Sequence, residues 1–189
     1  MAYTAIDDSE AYFQAATYAG NSSTQSITLG GDTDLQPDFV WIKARSDAGN
    51  HAVYDSVRGA TKRITSEGTN AESTVSDGLT AFDSNGFSLG AGGNENSATT
   101  IVAWCWKESA TSGFDIVTWT VPSSGSTTIS HSLSAVPKMI ISKSTDTDNT
   151  DWETHHNAIG NANTVQLNTT AALGDNNAYN DTDPTSSVF

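Results

Sequence analysis

Basic residues are scarce in this sequence. Its 189 residues include 8 Lys and Arg against 22 Asp and Glu, which gives a formal net charge of −14. Proteins that bind nucleic acids draw their affinity from lysines and arginines placed along the phosphate backbone, and this chain has too few to form such a surface. We therefore expect no nucleic-acid partner.

Cysteines and long apolar runs are also scarce. The single cysteine, Cys105, excludes an intrachain disulfide. Its apolar setting, IVAWCWK, predicts a buried core thiol rather than a nucleophile, because a nucleophilic cysteine requires an electropositive setting. No apolar run is long enough to span a membrane, and the first residues lack the basic and apolar regions of a signal peptide. We expect neither membrane insertion nor export by a signal peptide.

The composition favours β-structure. Hydrophobic residues make up 36% of the chain, and much of the rest is Ser, Thr, Asn, Asp and Gly, which suits short strands joined by polar turns. The segments FVWIK, TIVAWCWK, FDIVTWTV and MIISK have strand patterns, and SNGF is a hairpin signal. One helix is predicted, near the N-terminus in DDSEAYFQAA, with a cap at Asp8 or Ser9.

The sequence contains an internal repeat. Four positions of the first half align with four of the second, namely Phe13, Pro37, Lys43 and Gly59 with Phe114, Pro137, Lys143 and Gly160. The intervals between successive positions are 24, 6 and 16 residues in the first half and 23, 6 and 17 in the second. A period of about 101 residues is the size of a domain. We therefore predict an all-β chain of two tandem antiparallel β-sandwich domains of jelly-roll type, at residues 1–109 and 113–189, the first with a short N-terminal helix or arm.

The second repeat looks incomplete. The first repeat continues beyond Phe87 into the IVAWCWK strand, whereas the sequence ends at Phe189, which aligns with Phe87. A sandwich without its closing strand has an open edge. Two explanations remain open: the polypeptide extends beyond Phe189, or a neighbouring chain supplies the strand.

Patterns of catalytic sites are missing from the sequence. There is no G-x-S-x-G nucleophile elbow, no clustered pair of carboxylates of the glycosidase type, and no glycine-rich phosphate loop followed by Lys. The repeats share no histidine, because His155 and His156 align with Tyr54 and Asp55. We therefore expect that the protein is not an enzyme. Lys43 and Arg58 are predicted to pair with carboxylates rather than to act on a substrate.

Three groups of residues are candidates for binding. Asp146, Asp148 and Asp151 offer the oxygen ligands that calcium prefers, although they do not fit the EF-hand pattern, and no other cofactor is indicated. The loop LGAGGNENS, with Asn94 and Asn96, is a candidate contact loop. A third group could contact a glycan or a partner protein and consists of Trp106, Trp152 and His155.

The five tryptophans are assigned by their surroundings. Trp41, Trp104 and Trp119 are predicted to pack in the core. Trp106 and Trp152 are the candidates for an exposed position, where an aromatic ring can stack on a sugar, with core packing as the alternative.

Taken together, the motifs resemble a known family. LQPDFVWIKARSDAGNHAVYDSVRG, FDSNGFSLG and IVAWCWK are similar to a repeat of tailed-phage structural proteins, especially those of marine phages and cyanophages. VPKMIISK, HHNAIG, LNTTAA and NDTDPTSSVF resemble the companion repeat of the same proteins. The resemblance covers nearly the whole chain. It implies a concanavalin-like or laminin-G-like sandwich without established catalytic residues, followed by further strands after PTSSVF.

The resemblance also implies a function and partners. We expect a virion structural protein of a tail fibre, appendage or particle decoration, made in the host cytoplasm and located in the virion. Other virion proteins are the expected partners, a homo-oligomer is expected with a trimer favoured, and a host surface polysaccharide is a candidate ligand. A free carbohydrate-binding or carbohydrate-cleaving β-sandwich protein is the alternative, and a glycan array and a reducing-sugar assay would discriminate between the two.

Overall fold

The regular secondary structure of the described chain is almost entirely β-strand. The computed structural model describes residues 6–97 and 99–189, which form strands and two three-residue 3-10 turns, Ser9–Ala11 and Asn157–Ile159. In chain order the strands are β1 (Phe13–Ala19), β2 (Gln25–Thr28), β3 (Phe39–Ala44), β4 (Ala52–Asp55), β5 (Lys62–Arg63), β6 (Ser73–Thr74), β7 (Leu79–Asp83), β8 (Gly86–Leu89), β9 (Thr100–Trp106), β10 (Met139–Ser142), β11 (Glu153–His156), β12 (Asn163–Gln166) and β13 (Gly174–Asp175). The strands pair antiparallel in several sheets, so the all-β prediction is confirmed. Neither of these turns has the length or hydropathy to cross a membrane.

The predicted N-terminal helix is reduced to a single turn. Asp8 caps this turn by accepting a hydrogen bond from the backbone N–H of Glu10 (2.9 Å). The alanine-rich segment that follows forms β1 instead, which pairs with β9 along all seven residues. This long-range pairing overrides the helix preference of alanine. Residues 1–5 of the predicted arm lie outside the described residues.

The first half contains two larger sheets that share one core, together with the two-stranded sheet β5-β6. One sheet has the strand order β1-β9-β3-β4 and the other has the order β2-β8-β7. Their buried side chains form one cluster: Ile27, Leu29, Leu35, Val40, Ile42, Ala44, Ala52, Tyr54, Leu79, Phe87, Leu89, Ile101, Ala103 and Cys105. Two antiparallel sheets that enclose an apolar core are consistent with a β-sandwich.

Strand β9 is central to the first sheet. Ile101, Ala103 and Cys105 are fully buried in the core, whereas Trp104 and Trp106 lie on the opposite face, because successive side chains of a strand alternate. Burial raises the pKa of the Cys105 thiol to about 12. The thiol therefore stays protonated and packs as a small apolar group, as predicted.

The second half contains the sheet β10-β11-β12-β13. The segment 114–121, which has a strand pattern, does not form a strand and makes only an isolated bridge from Phe114 to Ser109. Its counterpart in the first half, β1, pairs only with β9, and no described residue of the second half takes the place of β9. The expected strand is therefore absent because its pairing partner is absent from this part of the structure.

The two halves repeat several backbone pairings. Ile27 pairs with Phe87 in the first half. In the second half, Ile129 and Phe189 exchange two backbone hydrogen bonds of 2.8 and 2.9 Å. Strands β10 and β11 also keep the register of β3 and β4, since Met139 lies opposite His156 as Phe39 lies opposite Asp55. These corresponding residues of the internal repeat therefore make the same backbone pairings in both halves.

Trp152 joins the two halves. It is 7% exposed and packs against Val53 and Ile64 of the first half. Its indole Nε1–H donates a hydrogen bond to the carbonyl oxygen of Thr65 (2.9 Å). Two backbone hydrogen bonds extend this contact, one between Glu72 and Thr145 and one between Thr69 and Thr150.

Candidate binding surface

The outer face of the first sheet is aromatic at one end. Phe13, Trp106 and Phe39 lie side by side across β1, β9 and β3, because Trp106 is opposite both phenylalanines in the strand register. The ring centroid of Trp106 is 4.9 Å from that of Phe13 and 5.4 Å from that of Phe39. Phe114, which follows β9 in the chain, stacks on Trp106 at 6.4 Å. Strand alternation and one chain reversal thus bring four aromatic rings together.

Three of these rings, Phe13, Trp106 and Phe114, border an open cavity of ≈ 250 Å³. Its lining residues are Ile6, Ser9, Tyr12, Phe13, Trp106, Ser112 and Phe114. Phe13 is 40% exposed, so the cavity is accessible from the solvent. The lining is mainly apolar, and Tyr12, Ser9 and Ser112 add polar atoms to it, of which the Ser112 hydroxyl already donates to the carbonyl oxygen of Ser109 (3.1 Å). This combination suits a ligand that has both apolar faces and hydroxyl groups.

The remaining tryptophans follow the sequence assignment only in part. Trp152, a candidate for an exposed position, is buried at the contact between the halves. Trp119 is predicted in the core but is 38% exposed. Trp41 and Trp104 are half-buried on the outer face of the first sheet, with ring centroids 6.4 Å apart, and Trp41 packs against the apolar cluster around Trp152. Of the two tryptophans that are candidates for glycan binding, Trp106 borders the cavity described above.

His51 supports this outer face through a hydrogen bond with Trp41. Its Nδ1 accepts a hydrogen bond of 2.8 Å from the indole Nε1–H of Trp41. Burial lowers the pKa of His51, which favours the neutral ring that this acceptor role requires.

The predicted contact loop is anchored in the interior. Asn96 is fully buried, and its side chain accepts hydrogen bonds from Asn21 and Gln25 and donates to Ser23 and Gly90. These contacts occupy the side chain and leave it no exposed surface for a ligand. Asn94 is half-buried in the same loop.

Glu95, between these asparagines, forms a buried polar network that the sequence analysis missed. Its Oε1 accepts hydrogen bonds from the Tyr54 hydroxyl (2.6 Å) and from Arg63 (3.3 Å), and its backbone oxygen accepts one from the Tyr18 hydroxyl (2.7 Å). Burial, together with the Glu95 charge, raises the pKa of both tyrosines, so both remain hydrogen-bond donors. No local motif signals this network, because its members come from four distant parts of the chain.

His155 lines a second cavity, of ≈ 280 Å³, in the second half. The other lining residues are Val136, Pro137, Lys138, Asn157, Gly160, Asn161, Asp183 and Pro184. His155 is 2% exposed, and its Nδ1 has no hydrogen-bond partner among the described residues. Its ring lies 5.5 Å from that of Tyr179. A buried ring nitrogen without a partner is unfavourable unless water or another polar group satisfies it.

The three candidate calcium ligands have separate partners. Asp148 accepts a hydrogen bond from the backbone N–H of Ala71 (2.8 Å), and Asp151 accepts from the side chains of Asn168 and Gln166. Asp146 is bonded to its neighbours in its own turn. Within residues 6–97 and 99–189, no group of three or more His, Cys, Asp or Glu is placed to hold a metal ion. Calcium binding stays a prediction.

The fold and these surfaces define an all-β protein with a partly exposed aromatic cavity. A family model, described as a domain of unknown function (DUF7483), matches residues 8–189. The chain therefore belongs to this family. No match was found among curated proteins or among solved structures.

Proposed function

We propose that the chain is a non-enzymatic structural module of a tailed-phage particle that works in assembly or adhesion. In this proposal it forms two tandem β-sandwich domains of a tail fibre, appendage or particle decoration. The resemblance of its motifs to phage structural repeats supports the proposal, as do the all-β fold and the pairings that recur in both halves. The partners are other virion proteins and further copies of the chain, with a trimer favoured.

The aromatic cavity at Trp106 is the observation that carries the adhesion role. Sugars present apolar C–H faces that pack on aromatic rings and hydroxyl groups that bond to polar side chains, and Phe13, Trp106 and Tyr12 offer both features. The net charge of −14 disfavours polyanionic ligands. The ligand class is therefore a neutral glycan of the host surface, and repeated copies on one particle would raise a weak single-site affinity by avidity.

A binding experiment tests this role. The purified chain is screened on an array of bacterial surface polysaccharides, and hits are titrated by tryptophan fluorescence. Trp106→Ala is expected to weaken binding at least tenfold, and Tyr12→Phe, which removes one hydroxyl, by about threefold to tenfold. Trp119→Ala is the matched control, because this tryptophan lies in the second half, outside the cavity lining, and should leave binding unchanged.

Three results would contradict the proposal. Equal loss of binding in Trp106→Ala and Trp119→Ala would remove the cavity from the adhesion role. Absence of the protein from purified particles by mass spectrometry would contradict the virion assignment. Release of reducing sugars from a polysaccharide would favour the carbohydrate-cleaving alternative.

A further inference from the structure

One edge of β10 is unpaired in the described part of the chain. In the first half the corresponding strand, β3, pairs with β4 on one side and with β9 on the other. Strand β10 pairs with β11 alone. A free edge exposes backbone N–H and C=O groups that a further strand can satisfy.

The side chains around this edge are also short of partners. Met139 and Ile141, on one face of β10, are 55% and 40% exposed. On the other face, Ile140 lies opposite His155, whose buried Nδ1 has no partner among the described residues. The Met139/Ile141 face of β10 therefore lacks the cover that a neighbouring strand would give. On the other face, Tyr179 packs against the buried His155 ring, but His155 Nδ1 has no hydrogen-bond partner among the described residues.

The first half shows what satisfies the equivalent position. There Val40 lies opposite Tyr54, as Ile140 lies opposite His155. The Tyr54 hydroxyl donates to Glu95, which belongs to the loop that leads from β8 into β9. The unpartnered His155 thus stands where the β8–β9 segment supplies a partner in the first half.

The segment 114–121 gives an independent indication. Its counterpart β1 is separated from β3 by β9 and has no direct pairing with β3. A strand at 114–121 therefore requires an intervening strand next to β10. The observed lack of strand structure in this segment is the expected consequence of an empty strand position.

We propose that the free edge of β10 binds one further antiparallel strand, supplied by a peptide segment from outside residues 6–189. The segment has the chemistry of Thr100–Trp106: branched or small apolar side chains towards Ile140 and His155, and aromatic side chains on the other face. A polar residue ahead of it bonds to His155 Nδ1, and residues 114–121 pair with its far edge. This inference goes beyond the glycan role of the Trp106 cavity and does not depend on it.

A peptide segment fits these observations better than a second β10. Pairing of two β10 strands from two copies would satisfy four residues on each, would bring no loop to His155, and would leave 114–121 without a partner. A strand of the length of β9 can contact both β10 and 114–121.

A synthetic peptide tests the proposal with the whole chain. The probe is a fluorescent peptide of residues 99–108 in which Cys105 is replaced by Ser, and the control is a scrambled peptide of the same composition. We expect saturable one-to-one binding of the probe by anisotropy, at least tenfold tighter than the scrambled peptide. Amide hydrogen exchange is expected to slow at least tenfold in Met139–Ser142 and in residues 114–121, without comparable change in the first half.

Two variants localise the binding. Ile140→Asp places a charge on the face that receives the strand and should weaken binding at least tenfold, while Ile141→Asp, on the more exposed face of the same strand, should weaken it less. Exchange of the β11 amides reports whether each variant keeps its fold. Because the exchange pattern of the unmodified chain locates the peptide without any variant, the test holds even if Ile140→Asp does not fold.

Three outcomes would overturn the proposal. The first is binding of the probe no tighter than that of the scrambled peptide. The second is protection confined to the first half, which would indicate exchange of the probe with β9. The third is protection of β10 without peptide, accompanied by a concentration-dependent doubling of mass, which would show that a second copy occupies the edge.

Discussion

Arg58 holds the turn after β4 through contacts with two carboxylates. Its guanidinium lies 2.6 Å from Asp55 and 3.0 Å from Glu72, and it also donates to the carbonyl oxygen of Lys62 (3.1 Å). The Arg58 and Asp55 side chains are both almost fully buried. The planar guanidinium group of arginine can donate several hydrogen bonds to carboxylates at once, whereas a lysine ammonium acts as a point charge. Arginine therefore fits this site between two carboxylates better than lysine.

Removal of this arginine should destabilise the protein strongly. Arg58→Met keeps much of the side-chain volume but leaves the Asp55 carboxylate buried without its cation, which costs about 3–5 kcal/mol of unfolding free energy. Lys62→Ala is the control, because Lys62 also pairs with Glu72 but its side chain is 40% exposed, and exposed pairs contribute about 0–1 kcal/mol. Urea unfolding measures both. Similar losses for the two variants would contradict a special role for Arg58.

Glu108 makes stability depend on pH in the segment between the halves. Burial, followed by a hydrogen bond that the protonated Glu108 carboxyl donates to the Asp115 carboxylate, raises the pKa of Glu108 from 4.5 to about 7. Between these values the folded state binds the proton more tightly than the unfolded state. This contribution to stability is complete below pH 4.5 and is lost as the pH rises through 7.

Glu108→Gln should flatten this part of the pH profile, because the amide does not titrate. The pKa of Asp115 is lowered from its ordinary value of 3.8. The stability that Asp115 contributes is therefore lost only as the pH falls below 3.8, outside the range in which Glu108 titrates. Urea midpoints at several pH values between 4.5 and 7.5 test the prediction, with a smaller decline expected in the variant. Parallel profiles of the two proteins would contradict it.

Among single elements, the β7–β8 hairpin places the tightest demand on one residue. Gly86 follows the Ser84–Asn85 loop with φ +113°, and a Cβ there would lie 1.9 Å from the carbonyl oxygen of Ile27 on β2. Glycine is required both for the left-handed backbone and for the close approach of β8 to β2.

Gly86→Ala should therefore destabilise the first half by about 2 kcal/mol or more, since backbone strain and a clash with a neighbouring strand add together. Gly30→Ala is the matched control, because no atom lies within 4 Å of a Cβ at that position. Thermal unfolding followed by near-ultraviolet circular dichroism compares the two. An equal shift of both melting temperatures would argue against the proposed clash.

The elements that the sequence predicts correctly carry their signal locally. The alternation in β9 and the Asn85–Gly86 pair are visible in a few consecutive residues. Errors arise where the outcome depends on a distant partner. The alanine-rich N-terminal segment forms a strand because β9 lies beside it. Residues 114–121 lack strand structure because no strand of the described chain lies beside them.

Side-chain roles follow the same division. Arg58 pairs with carboxylates as predicted, whereas Lys43 donates instead to the carbonyl oxygens of Ala44 and Asp47. The sequence shows that Trp104 and Trp106 lie on the same face of β9. It does not show which face of β9 the rest of the chain covers. Burial of Trp152 depends on a contact with Val53 and Ile64, which are about one repeat period away in the sequence, so no local pattern indicates it.

At the scale of the whole molecule, the two halves differ in how they are stabilised. The first half has a continuous apolar core, whereas Ile129 and Trp152 are the buried hydrophobic residues of the second half among the described residues. Several large apolar side chains of the second half are exposed: Trp119, Val121, Val136, Met139, Ile141, Leu167 and Leu173. The second half therefore depends on its contact with the first half, and Trp152 is the centre of that contact.

Trp152→Ala should loosen the second half selectively. The substitution removes the packing on Val53 and Ile64 and the hydrogen bond to Thr65, and truncation of a buried tryptophan costs about 3–5 kcal/mol. Because the first core is formed without Trp152, amide hydrogen exchange should accelerate in β10–β12 and change little in β9. Calorimetry should show a separate transition at lower temperature. Trp119→Ala is the control, because it removes an equally large ring at a position that is 38% exposed, and it should produce neither effect. Equal acceleration of exchange in both halves of Trp152→Ala would mean that the chain unfolds as one cooperative unit.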